Sequence, residues 1–236
     1  MRCGLFGKLP AKRDFIALFA PRDFLDAWEP WMQSSISASR QRLAEGWQQA
    51  FLTAPIWRFW LGDDICGRTV LGALMASLDG LGRYYPLTIF GYADRGAAIP
   101  PPDLDAQDDW FVAAEEFLLR TLEKNVAFET VTSALDALAA PMQEPSGSVP
   151  ENLTSLAPGA VAATVEGSAF PAVFASLRAA NHESTYAAAS AWWTLGGDDF
   201  QPLALTCKGM PDPFVFANML SGRLDPAIAE KGHAEL

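Results

Sequence analysis

Residues 68–92, RTVLGALMASLDGLGRYYPLTIFGY, decide the fold of this chain. They contain two apolar runs, 69–78 and 85–92, whose length and content of β-branched and aromatic residues are typical of buried strands. Between the runs, residues 77–83 carry two glycines, an acid and a base, which is the composition of a turn. The stretch therefore predicts a β-hairpin in the core of a sheet.

The residues just before this hairpin predict a third strand of the same sheet. Residues 56–61, IWRFWL, alternate large apolar side chains with Arg58, and Gly62, Asp63 and Asp64 then mark a turn. Such short connections require antiparallel pairing, because a parallel crossover needs about a dozen residues or more. An antiparallel meander of three strands is therefore predicted.

The remaining segments predict helices around this meander and further strands beside it. Helical periodicity covers residues 21–53 (in two pieces, broken near residues 28–30), 107–125, 126–139, 168–180 and 213–220. Strand patterns cover residues 3–9, 184–195 and 203–207, and we expect the last two to return to the same sheet. Together they predict an α+β fold in which a central, largely antiparallel sheet has helices packed on both faces, in three α/β/α layers.

We expect a single α/β domain over residues 1–224, followed by a frayed tail at 225–236. Residues 141–160 are rich in proline and serine and lack periodicity, so they predict a long exposed loop. The segment after this loop is too small, and too mixed in helix and strand character, to fold alone.

The charge balance limits the classes of partner. The chain has 17 basic and 28 acidic residues, a net charge of −11, which repels phosphate backbones and anionic membranes. Nucleic acid and membrane insertion are therefore not expected. The cysteines Cys3, Cys66 and Cys207 form no CxxC pair, and the N-terminal apolar run is too short for a signal peptide, so we expect a cytoplasmic protein with reduced thiols.

The residues suited to catalysis form no recognisable constellation. His182 and His233 lack neighbours at metal-ligand spacing, and Ser190 lacks the GxSxG turn of a nucleophile elbow. Three acidic pairs fit turns and helix starts better than general acid–base chemistry: Asp63-Asp64, Asp108-Asp109 and Asp198-Asp199. We therefore expect no catalytic site, no metal and no cofactor.

Charged and hydroxyl side chains gather in the glycine-rich loops and are the candidates for a binding site: Lys8, Arg13, Asp14, Ser77, Asp79 and Arg83. One interpretation is that they form one or two structural ion pairs, with Asp79 and Arg83 as the local pair. The other is that they form a polar patch at one end of the sheet, where a partner docks. The residues alone favour the structural interpretation.

Several motifs in a fixed order resemble a known family. They are GLFGKLPAKRDF at 4–15, WEPW at 28–31, APIWRF at 54–59 and GALMASLDGLGRYYPLTI at 72–89. On these motifs the chain resembles the TagF/ImpM family of type VI secretion-associated proteins, with the N-terminal signature at residues 3–93. It departs from the family at Ala76, where proline is more frequent, and at Met210, which is usually leucine.

This resemblance implies a non-enzymatic accessory protein that represses type VI secretion after translation. The implied partner is a cytoplasmic forkhead-associated scaffold protein, and the six charged and hydroxyl residues of the loops are candidates for contacting it. Two alternatives remain open at this point. One is a small-molecule or nucleotide-binding enzyme that uses the loops of Lys8, Arg13, Asp79 and Arg83, and the other is a purely structural assembly factor.

Overall fold

A computed structural model of the chain describes residues 2–123, 125–145, 153–157, 160–165 and 170–224. The strands are β1 Cys3–Gly7, β2 Ile16–Leu18, β3 Trp57–Leu61, β4 Val70–Met75, β5 Leu87–Tyr92, β6 Ala97–Ala98, β7 Glu144–Pro145, β8 Thr154–Ala157, β9 Ala160–Ala162, β10 Ala189–Thr194 and β11 Leu203–Lys208. The helices are α1 Arg22–Leu43, α2 Trp47–Thr53, α3 Asp63–Cys66, α4 Asp108–Arg120, α5 Phe128–Ala137, α6 Phe170–Ala180, α7 His182–Tyr186 and α8 Val215–Ser221.

Seven of these strands form one sheet in the order β11-β10-β3-β4-β5-β1-β2. Every neighbouring pair is antiparallel. The predicted meander is confirmed, since β3, β4 and β5 are consecutive neighbours at the centre of the sheet, with Leu74 opposite both Trp57 and Thr88. The C-terminal strands β10 and β11 return to the same sheet beside β3, also as predicted.

Helices cover both faces of this sheet, which confirms the three-layer α+β fold. Because side chains alternate along a strand, Phe59 of β3 points to one face and Trp60 to the other. Phe59 lies in a core formed with α1, α2 and α8, whereas Trp60 lies in a second core formed with α4 and α5. All five residues of β3 are buried, as expected for a strand enclosed on both sides.

Aromatic side chains hold the first layer of helices against the sheet. Trp28 of α1 is fully buried and lies 4.6 Å from Phe59 and 5.9 Å from Trp192, measured between ring centroids. Burying each such ring contributes about 2–3 kcal/mol. Trp31 donates a hydrogen bond of 2.7 Å to the carbonyl of Pro211, which ties the C-terminal segment to α1.

A buried arginine fixes the opposite layer. The side chain of Arg58 is 3% exposed and lies 4.7 Å from the centre of the Phe111 ring. Its Nε is 2.6 Å from Glu115 and its Nη1 is 3.2 Å from Asp108, so two carboxylates of α4 neutralise it. A buried charge needs such partners, and they set the position of α4 over β3.

The predicted helix break near residues 28–30 is wrong. Helix α1 runs through Pro30, and the chain breaks instead at Ala44–Gly46, a single 3₁₀ turn. Pro30 is exposed, so the carbonyl that its ring deprives of a hydrogen bond can face water. The buried rings of Trp28 and Trp31 on either side hold the helix against the sheet.

The predicted strand at 184–195 is wrong in its first half. The chain forms α7 up to Tyr186, and the strand begins only at Ala189. Strand alternation also begins there, with Ser190, Trp192 and Thr194 buried. The predicted loop at 141–160 is wrong where it is described, because strands β7 and β8 lie within it and pair with β6 and β9. Its residues 146–152 and 158–159 lie outside the described residues, as do the predicted tail at 225–236 and His233.

The centre of the sheet leaves no room for a side chain at Gly72. A Cβ there would meet the Phe59 ring and would lie 2.6 Å from the carbonyl oxygen of Ile89. We expect Gly72→Ala to lower the free energy of unfolding by about 1–3 kcal/mol, because the core must shift to admit it. Gly197→Ala is the matched control, since its Cβ meets no atom within 4 Å. Urea denaturation measures both variants, and equal stabilities would contradict this packing.

Candidate functional site

Two loops meet at one end of the sheet. The first follows β1 and begins at Lys8, and the second, residues 77–83, joins β4 to β5; we call the second the hairpin loop. The Ser77 hydroxyl donates a hydrogen bond of 2.8 Å to the carbonyl of Lys8, and the amide of Gly80 donates one of 2.7 Å to the carbonyl of Lys12. The hairpin loop is therefore bonded at two points to the main chain of the first loop.

The carboxylate of Asp79 lies at the centre of this junction and is fully buried. Its Oδ2 is 3.0 Å from Lys8 Nζ and 2.7 Å from Arg83 Nε. Its Oδ1 accepts hydrogen bonds from the amides of Leu81 and Arg83, at 2.9 and 3.0 Å. A buried carboxylate is tolerated only when its oxygens are satisfied in this way, so Asp79 closes the hairpin loop around itself.

These contacts keep Asp79 ionised. Burial alone would raise its pKa, but the hydrogen bonds from the Arg83 amide, Lys8 Nζ and the Leu81 amide outweigh burial and hold the pKa below its usual range. A general acid or base needs a pKa near the working pH. Asp79 is therefore suited to holding two cations in place and unsuited to proton transfer at neutral pH.

The lowered pKa of Asp79 makes stability depend on pH. A carboxyl group whose pKa is lower in the folded than in the unfolded state stabilises the protein at pH values above its unfolded pKa of about 4. This stability is therefore present at neutral pH and is lost as the pH falls below about 4. We expect Asp79→Asn to be less stable than wild type at neutral pH, because Lys8 stays buried without its counter-charge, and to lose less stability on acidification.

Urea denaturation over a pH series measures this difference. Asp14→Asn is the matched control, since Asp14 is an exposed carboxylate close to the same junction. We expect the control to follow the wild-type curve. If Asp79→Asn lost as much stability on acidification as wild type, Asp79 would not be the group responsible for the pH dependence of stability.

The structure brings together four of the six candidates from sequence, namely Lys8, Ser77, Asp79 and Arg83. Arg13 contributes its main-chain carbonyl, which accepts a hydrogen bond from Arg83 Nη2, while its side chain is exposed. Asp14 is exposed on the same loop. The predicted ion pair between Asp79 and Arg83 is present. Whether the six residues contact a partner stays a prediction.

An open groove of about 470 Å³ lies between these loops and helix α1; we call it the α1 groove. Its lining residues are Lys8, Phe15, Gln33, Ile36, Arg40, Arg83, Tyr84 and Tyr85. The Arg83 side chain is 55% exposed and Phe15 is 49% exposed, so a cation and an aromatic ring are both available to a partner. Of these lining residues, only Lys8 and Arg83 are predicted as site residues from the sequence.

The α1 residues of the groove were missed for a physical reason. Gln33, Ile36 and Arg40 are spaced by three and four, so the sequence places them on one side of a helix. That spacing could have shown that they lie together. It could not show that this side of the helix lies next to a loop more than thirty residues further along the chain.

The base of the groove contains a buried hydroxyl. Tyr85 is 5% exposed, and its hydroxyl has no hydrogen-bond partner among the residues that the structure describes. The Phe15 ring packs edge-on against the Tyr85 ring, with 4.7 Å between the ring centroids. Burial, and to a smaller extent the charge of Glu29, raise the pKa of Tyr85, so the hydroxyl keeps its proton. Within the described part of the chain, this hydroxyl is therefore a hydrogen-bond donor without an acceptor.

Removing this hydroxyl should not destabilise the fold. An unsatisfied buried hydroxyl costs about 1–3 kcal/mol, so we expect Tyr85→Phe to unfold with an equal or higher free energy than wild type. Tyr186→Phe is the matched control, because it loses a hydrogen bond of 2.6 Å to Asp103. Thermal and urea denaturation measure both variants. A loss of more than about 1 kcal/mol in Tyr85→Phe would mean that the hydroxyl is bonded in solution.

Other reactive groups of the described residues are held in structural positions. Burial raises the pKa of the Cys3 thiol to about 11 and that of Cys66 to about 12, the latter helped by the charge of Asp23. Ser190 donates a hydrogen bond of 2.6 Å to the carbonyl of Gly209 and accepts one from Trp192. Among the described residues, the side chains of His, Cys, Asp and Glu form no group of three or more that could hold a metal ion.

Comparison with known proteins places this site in a family. Residues 4–138 match the family model described as the TagF N-terminal domain, type VI secretion system-associated. This is more than half of the chain. The chain belongs to the TagF family. Every residue that lines the α1 groove, and the whole Asp79 network, lies within the matched part.

The fold of this TagF-family chain is also that of a solved structure. The crystal structure of PA0076 from Pseudomonas aeruginosa PAO1 superimposes with a TM-score of 0.78 and is 28% identical in sequence. The match covers 94% of this chain and 96% of PA0076. No curated protein matches the sequence. Among the described helices, each is too short or too polar to cross a membrane.

Proposed function

We propose that this chain is a cytoplasmic, non-enzymatic regulator that represses type VI secretion after translation by binding a forkhead-associated scaffold protein. Membership of a type VI secretion-associated family establishes the accessory role in this system. The observation that carries the rest of the proposal is the junction around Asp79, because it builds a fixed binding surface from groups unsuited to proton transfer at neutral pH.

The chemistry of the described residues supports binding over catalysis. Asp79 is held ionised between Lys8 and Arg83, the buried thiols have raised pKa values, and Ser190 is committed to structural hydrogen bonds. Loops held on a rigid scaffold are the usual place for partner contacts. Here the scaffold is the central sheet, and the loops present the exposed side chains of Arg13 and Arg83 beside it.

Secretion of the tube protein tests repression directly. We expect deletion of the gene to raise the amount of tube protein in the culture supernatant and overexpression to lower it, since a repressor limits an assembled apparatus. Cellular levels of the tube protein are the control for expression. Unchanged secretion in both strains would contradict a regulatory role, and abolished secretion on deletion would indicate an assembly factor.

A pull-down with the purified scaffold protein tests the partner and the surface together. We expect wild type to retain the scaffold and Arg83→Ala and Arg13→Ala to retain less of it. Arg120→Ala is the matched control, because this exposed arginine lies on α4, on the opposite face of the sheet. Failure of wild type to bind would reject the scaffold as partner.

Thermal stabilisation of the protein by a nucleotide, about 2.7 kcal/mol at 100 times its Kd, would instead support a nucleotide-binding enzyme.

A further inference from the structure

We infer that the α1 groove binds an acidic segment of a protein partner, with one apolar side chain of that segment seated between its carboxylates. This inference rests on the proposed function and names the chemistry of the partner segment that the surface recognises. The groove has the two features that such a segment requires, cations at its rim and aromatic and aliphatic walls between them.

The cations at the rim come from two different elements. Arg83 comes from the hairpin loop and is held by Asp79, and Arg40 comes from α1, where its guanidinium lies 4.4 Å from the centre of the Trp47 ring. Both side chains are exposed, and both are pre-positioned by these contacts, so little side-chain entropy is lost on binding. Arg40 suits bidentate pairing with a carboxylate. The Nε and Nη2 of Arg83 are already bonded to Asp79 and Arg13, so Arg83 offers a further contact through Nη1.

The acidic groups close to the groove do not cancel these arginines. Asp79 is already shared with Lys8. The 3.1 Å hydrogen bond that Glu29 accepts from Gln33 comes from a neutral amide and leaves the charge of Glu29 in place, so Glu29 is one negative charge against two arginines at the rim. Asp14 is exposed on the neighbouring loop. The chain as a whole carries a net charge of −11, but fields beyond about 8 Å are screened at physiological salt. The nearby guanidinium groups therefore decide which charge is accepted.

The walls of the groove provide an apolar anchor site. Phe15, Ile36 and Tyr84 line it, and the Tyr84 hydroxyl is fixed by a hydrogen bond of 2.7 Å from Gln48. Aromatic residues and arginine are the residue types that dominate binding energy at protein interfaces. A polyphosphate would offer the charge without the apolar anchor that these walls accept.

The buried hydroxyl of Tyr85 completes the site. It is a donor without an acceptor among the described residues, and a carboxylate is an acceptor. Binding at this hydroxyl therefore requires that the occupant displace Phe15, which packs against the Tyr85 ring and is about half exposed. The occupant then satisfies a group that has no partner among the described residues, which favours the bound state.

Fluorescence anisotropy with a synthetic peptide tests the inference on the full chain. The probe is a capped, fluorescein-labelled Glu-Asp-Glu-Phe-Glu-Asp peptide, and the comparison peptides replace its acids with lysine or its phenylalanine with serine. We expect saturable binding of the acidic probe that weakens as salt is raised, and weaker binding of both comparison peptides. Equal binding of the lysine peptide, or no binding of the acidic probe, would overturn the inference.

Variants locate the binding in the groove. We expect Arg40→Gln to raise the Kd about fivefold, as an exposed ion pair allows, and Phe15→Ala to raise it about tenfold or more. Tyr85→Phe should also raise the Kd while it keeps its thermal stability, a combination that a purely structural role would not produce. Arg120→Gln removes the same charge from the opposite face and should bind as wild type. Equal affinity in the groove variants, with their melting temperatures preserved, would overturn the inference.

The scaffold pull-down separates this inference from the proposed function. If wild type and Arg40→Gln retain the scaffold equally, the proposed function stands and the groove is rejected as its docking site. If wild type binds the acidic peptide but not the scaffold, the groove chemistry stands and the scaffold is rejected as the partner. If both Arg40→Gln and Phe15→Ala lose the scaffold and the peptide in parallel, both statements are supported.

Discussion

The buried carboxylate of Asp79 is the constraint on which the loop end of the sheet depends. A charge removed from water must be paired and hydrogen-bonded, and here the partners come from two loops. Lys8 reaches it from the end of β1, while Arg83 and two main-chain amides reach it from the hairpin loop. Asp79 therefore closes the hairpin loop on itself and helps to attach it to its neighbour. The position of the exposed Arg83 side chain follows from that pairing.

The sheet carries this junction on a frame that is enclosed on both faces. The aromatic core around Trp28 holds α1 to one face, and the ion pairs of Arg58 hold α4 to the other. The first of these contacts bears on function, because α1 supplies one wall of the groove. Packing at Trp28 thus holds the helix that carries Arg40 against the sheet from which the hairpin loop of Arg83 extends. Core packing and the geometry of the groove are coupled through one helix.

Structural and recognition roles are compatible in the same residues. The ion pair of Asp79 with Arg83 is a structural contact, as the residues alone suggested, yet the Arg83 side chain is still 55% exposed. Its Nε is held by Asp79, which fixes the direction of the rest of the guanidinium. A side chain ordered in advance loses less entropy when it binds. Membership of the TagF family gives this surface a cellular setting, the type VI secretion system.

The sequence by itself determined the central meander of the sheet. Short turns around residues 56–92 require antiparallel pairing, and the apolar runs show which segments are buried, so the meander and both helical layers followed from local pattern. The same reasoning failed at Pro30, where the buried tryptophans on either side outweigh the local cost of proline, and before Ala189, where a short helix, α7, forms in place of the predicted strand. Local preferences are weak compared with burial, and burial depends on neighbours that are distant in sequence.

Only the tertiary structure decided the site. The sequence showed charged loops, and the local pair of Asp79 and Arg83 could be predicted from their spacing. That Lys8 completes the pair, and that Arg40 and Phe15 flank the same groove, depends on how α1 and the β1 loop pack at the end of the sheet. A binding groove is made of residues that are adjacent in space and distant along the chain, and a single sequence specifies its spacings only within each element.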